Sequence, residues 1–280
     1  MCEVHRVDFQ AQDLRLSEGP QAGEAVPAAV LRLAGEEPVR PVWQNEAGGL
    51  TFEVGSGVQR RFVKWAPVGS PLDLATEAVR LRWAVRHASV PRLLAVGGDQ
   101  TGAWLVTAAL PGENSVSPRW QAAPATAVRS LGQGLRRLHD FLPVAECPFT
   151  WAAADRVADA RRRASAGQVN VELWHSSHRH LSIAEALRLV AVPPPVDELV
   201  VCHGDACAPN TLLDAEGAVT GHVDLGLLGV GDRWADLAIA TWSAGWNYGP
   251  GWEGALLDAY GIAPDPSRTA YYRLLWDLDA

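Results

Sequence analysis

The sequence predicts an α+β fold, with a strand-rich first part and a largely helical second part. Short alternating segments bounded by glycine and proline fill residues 39–110, and Pro111-Gly112 ends this run. The remainder shows helical periodicity, apart from one predicted hairpin that begins near Leu199. We therefore expect two lobes, residues 1–110 and residues 111–280, with a cleft at their junction.

The first lobe is expected to contain short strands around one main helix. Residues 50–54 alternate apolar and polar side chains, and Gly55-Ser56-Gly57 supplies the turn that follows them. Residues 1–38, punctuated by glycine and proline, predict a small peripheral element to which we assign no chemistry. The predicted strands cover 42–44, 50–54, 60–65, 93–96 and 103–107, and the predicted helix covers 72–87.

Composition narrows the classes of partner. The net charge of −8 over 280 residues argues against nucleic acid and favours a cationic partner, although ordinary solubility explains it equally well. No window reaches the roughly 18 apolar residues of a membrane span, and the first residues lack a signal-peptide layout. The four cysteines lack the spacing of a disulfide framework, which suits the cytoplasm.

The segment between residues 200 and 224 carries the chemistry. Asp205 follows His203-Gly204, and Asn210 comes five residues later. Residues 211–213 and 219–223 predict two strands joined by a turn at 214–217, so that Asn210 and Asp224 lie at one end of a hairpin. Two carboxylates and an amide form an oxygen-rich group of the kind that Mg²⁺ prefers.

Lysine 64 and two cysteines carry further signals. Lys64 is a lone lysine on an apolar strand, where burial is costly without an anion, and the phosphates of a nucleotide provide one. Glu77, on the following helix, is the expected partner of its ammonium group. Cys202 and Cys207 flank His203, but a zinc site is a weak interpretation because no second ligand cluster is present.

Several motifs in order along the chain resemble those of the aminoglycoside phosphotransferase family, which is related to protein kinases. The likeness covers roughly residues 40–280. The pattern H-G-D-x-x-x-x-N at 203–210 and V-D at 223–224 match the family's catalytic segment. The other matching motifs are F-V-K at 62–64, L-V-T-A-A-L-P-G at 105–112, L-R-R-L-H at 135–139, C-P-F at 147–149 and Y-Y-R-L-L at 271–275.

This resemblance implies a two-lobed, protein-kinase-like fold that uses ATP or GTP with Mg²⁺. The first lobe would bind the nucleotide and the second would contain the catalytic and acceptor sites. The implied roles are catalysis by Asp205, metal binding by Asn210 and Asp224, phosphate binding by Lys64 with Glu77, adenine contacts at the backbone of Thr107 and Ala109, a phosphate-covering loop at 45–49 that includes Gly48, and bracing of the catalytic loop by Asp236.

The acceptor is predicted from fewer signals. The resemblance implies that acids face a cationic antibiotic, and the aromatic-rich segment 242–252 can stack on a ring or a cation. In the family that the chain resembles, this stretch often carries two arginines at the positions of Leu227 and Val230, and their replacement changes the local charge. The candidate acceptor-binding residues are Glu172, Trp246, Tyr248, Asp277 and Asp279.

We therefore predict an O-phosphotransferase that modifies a hydroxyl of a cationic antibiotic, most naturally an aminoglycoside, and so confers resistance. Two alternatives on the same fold are a kinase of tuberactinomycin peptides such as capreomycin or viomycin, and a kinase of a small metabolite. A catalytically inactive kinase fold that only binds ligands is a third, but Lys64, Asp205, Asn210 and Asp224 are all present.

Overall fold

The computed structural model describes residues 26–45 and 48–279. Most of the predicted peripheral element at 1–38 lies outside the described residues. Two compact units are present: one runs to residue 82 and includes 91–109, and the other combines 83–90 with the chain from 110 onward. The assignment of nucleotide binding to residues 1–110 and of catalysis to 111–280 stays a prediction.

The first unit is built on one antiparallel sheet of five strands. The strands follow the spatial order β1-β2-β3-β5-β4, and in this register Lys64 of β3 lies opposite Thr51 of β2 and Leu105 of β5. All the predicted strands occur, but several begin or end one to three residues away from the predicted positions. The strands are β1 (Val39–Gln44), β2 (Leu50–Val54), β3 (Arg61–Pro67), β4 (Leu93–Gly98) and β5 (Gly102–Ala108).

The core of this unit lies on one face of the sheet. A short helix, α1 (Ala28–Ala34), begins after Pro27, whose fixed φ favours a helical start, and Gly35 with φ 64° ends it. Alternating residues of the strands face this helix, as the period of two requires. The buried cluster consists of Val30, Ala34, Leu50, Phe52, Val54, Val63 and Val106.

The main helix of the first unit, α2, spans Leu74–Ala84. It is shorter than the predicted 72–87. At its start, the Asp73 Oδ1 accepts a hydrogen bond from the Thr76 N–H at 2.9 Å, so Asp73 caps the helix instead of lying inside it. Beyond Ala84 the chain continues in turns. The predicted ends were therefore wrong, whereas the existence and position of the helix were predicted correctly.

The second unit is mainly helical and contains two small sheets. One sheet pairs β7 with β10, and the other has the order β6-β8-β9. None of the helices in the described ranges is long and apolar enough to cross a membrane. The strands are β6 (Glu113–Asn114), β7 (Leu199–Cys202), β8 (Thr211–Leu213), β9 (Val219–His222) and β10 (Gly229–Asp232); the helices are α3 (Pro118–Gln121), α4 (Pro124–Phe141), α5 (Ala153–Ser165), α6 (Ile183–Leu189), α7 (Trp234–Tyr248), α8 (Glu253–Tyr260) and α9 (Pro266–Leu278).

Two glycines let α4 lie close to its neighbours in the second unit. A Cβ atom at Gly132 would come within 2.4 Å of the carbonyl oxygen of Leu256 on α8. A Cβ atom at Gly134 would come within 2.7 Å of the Val219 side chain on β9. Side chains at these positions would push α4 away from both elements, so the glycines fix how closely the helix approaches the catalytic hairpin.

Candidate active site

The catalytic hairpin forms as the sequence predicts. Strands β8 and β9 are antiparallel, and the turn between them is closed by the Asp214 N–H, which donates to the Ala218 carbonyl at 2.9 Å. At the other end of the hairpin, the Val223 N–H donates to the Asn210 carbonyl at 2.9 Å. This bond places Asn210 and Asp224 at the same end, which confirms that predicted geometry.

The loop that carries Asp205 is held by a buried carboxylate on α7. Asp236 is 0% exposed, and its two oxygens accept hydrogen bonds from the N–H groups of His203 at 2.6 Å and Gly204 at 3.0 Å. Gly204 has φ 87°, and a Cβ atom there would lie 2.4 Å from the Leu227 carbonyl oxygen, so only glycine fits without strain. Asp236 thus has the bracing contacts that the family resemblance implied.

Asp236 is itself held in the ionised state by a buried chain of side chains. The His139 Nε2 lies 3.0 Å from its Oδ2, and the His139 Nδ1 lies 2.8 Å from the Tyr260 hydroxyl. Burial alone would raise the pKa of Asp236, but the hydrogen bond from His139, together with the electrostatic effects of His139 and His203 and the hydrogen bond from the His203 N–H, more than offsets it, so that this pKa is lowered. The brace is therefore an ionised acceptor for both backbone N–H groups.

His203 fixes the loop through both ring nitrogens. Its Nε2 lies 2.9 Å from the Val223 carbonyl oxygen, which can only accept, so Nε2 carries the proton. Its Nδ1 then accepts the N–H of Asp205 at 3.3 Å. The imidazole is thus occupied in positioning Asp205 and the hairpin end.

Asp205 has one oxygen that the described residues leave unsatisfied. Its Oδ1 is buried and has no hydrogen-bond partner among the described residues. Burial raises the pKa of Asp205, and the negative charge of Asp224 raises it further. Asn210 is close as well, since its Nδ2 donates to the Asp205 carbonyl at 3.0 Å. Two like charges and an orphaned oxygen mark a place that suits a cation or a hydroxyl donor.

Asp224 has a backbone conformation that is uncommon for residues other than glycine, although aspartate adopts it more readily than most. With φ 62°, it is the one non-glycine residue with positive φ among the described residues. Such a conformation costs on the order of 1 kcal/mol and is found mainly where the structure requires one side-chain direction.

No group of three or more His, Cys, Asp and Glu residues that could hold a metal occurs in the described ranges.

In the first unit, Lys64 and Glu77 form the predicted ion pair. The Lys64 Nζ lies 2.8 Å from the Glu77 Oε1, joining β3 to α2, and Glu77 is only 5% exposed. Lys64 is the only lysine in the sequence. The pair therefore holds one ammonium group in a fixed position, while its role towards a nucleotide stays a prediction.

The residues that are predicted to contact adenine and the phosphates lie in the first unit, and their contacts with a nucleotide stay a prediction. Thr107 lies within β5, between β3 and β4. The Ala109 N–H donates to the Arg60 carbonyl at 3.1 Å, so a contact from Ala109 to adenine would have to use its carbonyl oxygen. Gly48 has φ 75° and its N–H donates to the Asn45 carbonyl, whereas residues 46 and 47 of the same loop lie outside the described residues.

The acids predicted to bind the acceptor differ from one another in their surroundings. Glu172 is exposed. Asp277 is buried and accepts hydrogen bonds from the His175 N–H at 3.1 Å and the His178 ring at 2.6 Å. Asp279 accepts two hydrogen bonds from the buried Arg156, at 3.1 and 2.6 Å. That Asp277 and Asp279 have protein partners of their own could not be predicted from the sequence.

The two aromatic candidates on α7 point in different directions. Tyr248 packs against the cluster of Trp120, Ala127 and Leu213, its hydroxyl donates to the Ser115 carbonyl at 2.7 Å, and burial raises its pKa to about 12. Trp246 is partly exposed and lies against Trp242, with ring centroids 5.2 Å apart. Residues two apart in a helix lie about 200° apart around its axis, which explains the divergence.

Sequence reasoning missed several residues that support the site. The Ser243 hydroxyl of α7 accepts the Ala208 N–H at 2.9 Å and so ties the catalytic loop to the helix. His175 and His178 surround Asp277. The i, i+3 spacing of these histidines was visible, but nothing in the sequence indicated which acid they would meet.

The chain is similar to known phosphotransferases in sequence and in fold. The profile of the phosphotransferase enzyme family matches residues 40–272. An aminoglycoside 3'-phosphotransferase of Streptomyces fradiae is 34% identical over 246 residues, covering 83% of this chain and 91% of that protein. The streptomycin 3''-kinase of Streptomyces griseus is 35% identical over 246 residues, covering 82% and 88%. The structure of aminoglycoside phosphotransferase APH(3'')-Id from Streptomyces rimosus with ADP and streptomycin matches with a TM-score of 0.72 at 30% identity, covering 89% of this chain and 95% of that one.

The chain therefore belongs to the phosphotransferase enzyme family that contains the aminoglycoside phosphotransferases. The predicted family resemblance, the α+β protein-kinase-like fold and the phosphotransferase class are confirmed.

Proposed function

We propose that this chain transfers the γ-phosphate of ATP to a hydroxyl of an aminoglycoside antibiotic and so confers resistance. The observation that carries the proposal is the braced Asp205, whose buried Oδ1 has no hydrogen-bond partner among the described residues. A hydroxyl of the acceptor would supply the missing donor. Asp205 would then orient this hydroxyl and accept its proton late in the reaction.

The residues at the hairpin end fit a bound Mg²⁺. Asp224 and Asn210 offer oxygen atoms, and the effect of Asp224 on the pKa of Asp205 indicates excess negative charge. Mg²⁺ commonly takes only one or two protein carboxylates and completes its shell with phosphate oxygens and water. When bound, it would neutralise charge on the phosphates of the nucleotide.

The proposed nucleotide contacts come from the first unit. The ammonium group of Lys64, fixed by Glu77 at 2.8 Å, would hold the α- and β-phosphates. Thr107 and Ala109 would contact the base through the backbone, and the loop with Gly48 would cover the phosphates. Backbone contacts discriminate weakly between purines, so ATP or GTP could serve; ADP in the Streptomyces rimosus complex supports ATP.

The chemical step balances without a further reagent. The acceptor oxygen forms a bond to the γ-phosphorus while the bond between this phosphorus and the β–γ bridging oxygen breaks. The nucleoside diphosphate leaves, and the hydroxyl proton goes to the Asp205 carboxylate. Asp236 and His203 contribute by holding Asp205 in line, since positioning supplies much of the rate in phosphoryl transfer.

Because ATP and ribosomes are cytoplasmic, we place the reaction in the cytoplasm.

The acceptor class rests on the relatives and on charge. Both curated relatives are named for aminoglycoside acceptors, and the net charge of −8 favours a cationic partner. A tuberactinomycin peptide such as capreomycin is the main alternative, because Leu227 and Val230 stand where the resembled family often has arginines, which removes two cations from this segment. A kinase of a small metabolite such as choline or homoserine is the second.

An acceptor panel tests the proposal. The purified chain is incubated with ATP and Mg²⁺, or with GTP, and with streptomycin, further aminoglycosides, capreomycin, choline or homoserine. ADP release and the mass of the acceptor are followed. We expect one antibiotic to gain one phosphate. Asp205→Ala should lower kcat about a thousandfold, whereas the matched surface variant Asp140→Ala should retain activity, since Asp140 is exposed and its side chain pairs with Arg136 on the same helix.

Two results would overturn the proposal. Turnover with a metabolite and with no antibiotic would replace the acceptor class. Undiminished phosphorylation by Asp205→Ala would show that the catalytic residue is misassigned.

A further inference from the structure

A row of neighbouring rings, tilted against one another, lies beside the catalytic loop in the second unit. His175 lies against Trp242 with ring centroids 4.5 Å apart, and Trp242 lies against Trp246 with centroids 5.2 Å apart. Trp242 is buried, at 6% exposed, whereas Trp246 is partly exposed. His175 is partly exposed as well, so the row has a buried centre at Trp242 and partly exposed rings at both ends. Core packing accounts for Trp242 but not for the exposed part of Trp246.

The row is connected to the catalytic loop through α7. Ser243, next to Trp242, holds the Ala208 N–H, and its carbonyl accepts a hydrogen bond from the Asn247 side chain at 2.8 Å. Trp246 is three residues beyond Ser243, a rise of about 4.5 Å along the helix. Trp246 therefore lies within one turn of the residue through which α7 contacts the catalytic loop.

One guanidinium group already stacks on this row. The Arg273 Cζ lies 5.2 Å from the centre of the Trp242 ring, and Arg273 also donates to Glu253 at 3.0 Å. The rings of this row are therefore suited to a planar, weakly hydrated cation.

The nearby acids are less suited to an ammonium group. Asp277 is buried against His175 and His178, and Asp279 is paired with Arg156. A compact ammonium ion keeps its water strongly unless a carboxylate replaces it, whereas a guanidinium ion can stack on an indole face. The surroundings of Trp246 thus favour a guanidinium over an ammonium group.

We propose that Trp246, supported by Trp242 and His175, binds a guanidinium group of the acceptor and so selects guanidinium-bearing antibiotics. The inference rests on the proposed function and narrows its substrate class. Two sources share this chemistry: streptomycin, an aminoglycoside with guanidinium groups, and capreomycin, a peptide with a cyclic guanidine.

Steady-state kinetics with three acceptors test the proposal. Streptomycin, capreomycin and hygromycin B, which carries amines but no guanidine, are compared for the unmodified chain, Trp246→Ala and Trp246→Phe. For the guanidinium acceptor that is used, Trp246→Ala should raise KM about tenfold and leave kcat within about twofold. Trp246→Phe should restore most of the affinity. Phe141→Ala removes an aromatic ring that is 63% exposed at the end of α4 and should change neither constant.

The outcomes separate this inference from the proposed function. Phosphorylation of streptomycin, with the KM effect, supports both proposals. The same result with capreomycin supports the guanidinium site and replaces the aminoglycoside of the proposed function by the peptide alternative. Phosphorylation of hygromycin B alone, or an unchanged KM in Trp246→Ala, overturns the guanidinium site but leaves antibiotic phosphorylation intact. Phosphorylation of none of the panel's antibiotics overturns the proposed function itself. If Trp246→Ala loses thermal stability, Trp246→Phe decides, since an aromatic face must then preserve KM.

Discussion

Carboxylates are used in opposite ways in the catalytic loop and in the predicted acceptor region. Asp205 keeps a buried oxygen with no hydrogen-bond partner among the described residues, and burial together with the charge of Asp224 raises its pKa. In contrast, Asp277 and Asp279 receive two hydrogen bonds each from nearby histidines or from an arginine. The first arrangement leaves charge for a ligand to compensate, whereas the second has compensated it within the protein.

The difference shows that the position of an acidic residue in the sequence does not by itself indicate that its carboxylate binds a ligand. A carboxylate that is saturated by protein donors gains little from a substrate cation, because the exchange must break an existing pair. Four sites test this distinction. Lys64, Asp236 and Asp279 have charges that are compensated within the protein, and His222 is a buried histidine.

After Asp205, the largest effect is expected at Lys64, a compensated group for which we nevertheless propose a functional role. Lys64→Ala should lower kcat/KM for ATP a few hundredfold, because the phosphates lose a fixed cation. Glu77→Gln should cause a smaller loss, since the ammonium group remains but is less well held. Initial rates over a range of ATP concentrations measure both. Equal activity of Lys64→Ala and the unmodified chain would place Lys64 among purely structural ion pairs.

Asp236 tests whether bracing by a compensated carboxylate matters for catalysis. Asp236→Asn should lower kcat about a hundredfold and the free energy of unfolding by about 3 kcal/mol, because two backbone N–H groups and His139 lose an ionised acceptor. Asp232→Asn is the control: Asp232 is also buried and accepts two backbone N–H groups, but away from the catalytic loop. Urea unfolding and kcat per folded molecule are measured. Equal losses of kcat in both variants would refute a specific brace.

Asp279 tests whether a carboxylate that is paired within the protein contributes to stability and not to binding of the antibiotic. Asp279→Asn should lower the free energy of unfolding by about 3 kcal/mol, since it leaves Arg156, at 4% exposed, without its ionised partner. KM for the antibiotic should stay within about twofold. Chemical denaturation and acceptor titration measure the two quantities. A large rise in KM without loss of stability would restore Asp279 to the acceptor site as the sequence predicted.

The smallest effect concerns His222, which is buried in the catalytic hairpin. Burial lowers its pKa to about 3. As the pH falls below about 6.5, His222 therefore takes up a proton in the unfolded chain but stays neutral in the folded chain. The resulting stability is present above that pH and is lost as the pH falls towards 3.

Between pH 7 and pH 5, the free energy of unfolding should fall about 2 kcal/mol more for the unmodified chain than for His222→Gln. His180→Gln makes the same substitution at an exposed position and should leave the pH dependence unchanged. Urea titrations at the two pH values measure the difference. Parallel pH profiles for the chain and His222→Gln would exclude this residue as the cause.

The sequence specified the catalytic segment well because its geometry is local. Asn210 and Asp224 meet through a short hairpin, and Glu77 reaches Lys64 from the next helix, thirteen residues on. The acceptor region depends on how helices far apart in sequence pack. Every residue of α7 from Trp234 to Ala244 is buried, so the helix has no polar face from which to infer the directions of Trp246 and Tyr248. The partner of Asp279, Arg156, is 123 residues away and could not be read from spacing.

Lys64 also has a practical consequence, because the other 23 of the 24 basic residues are arginines. Guanidinium groups are not acylated under conditions that modify amines, so a mild amine acylating reagent has a single side-chain target besides the α-amino group. Bound nucleotide would shield that target, and the mass of one peptide would report occupancy without any antibiotic or coupled enzyme. A nucleotide analogue with an acylating group on its phosphates would, by the same logic, label the chain once, at a known place.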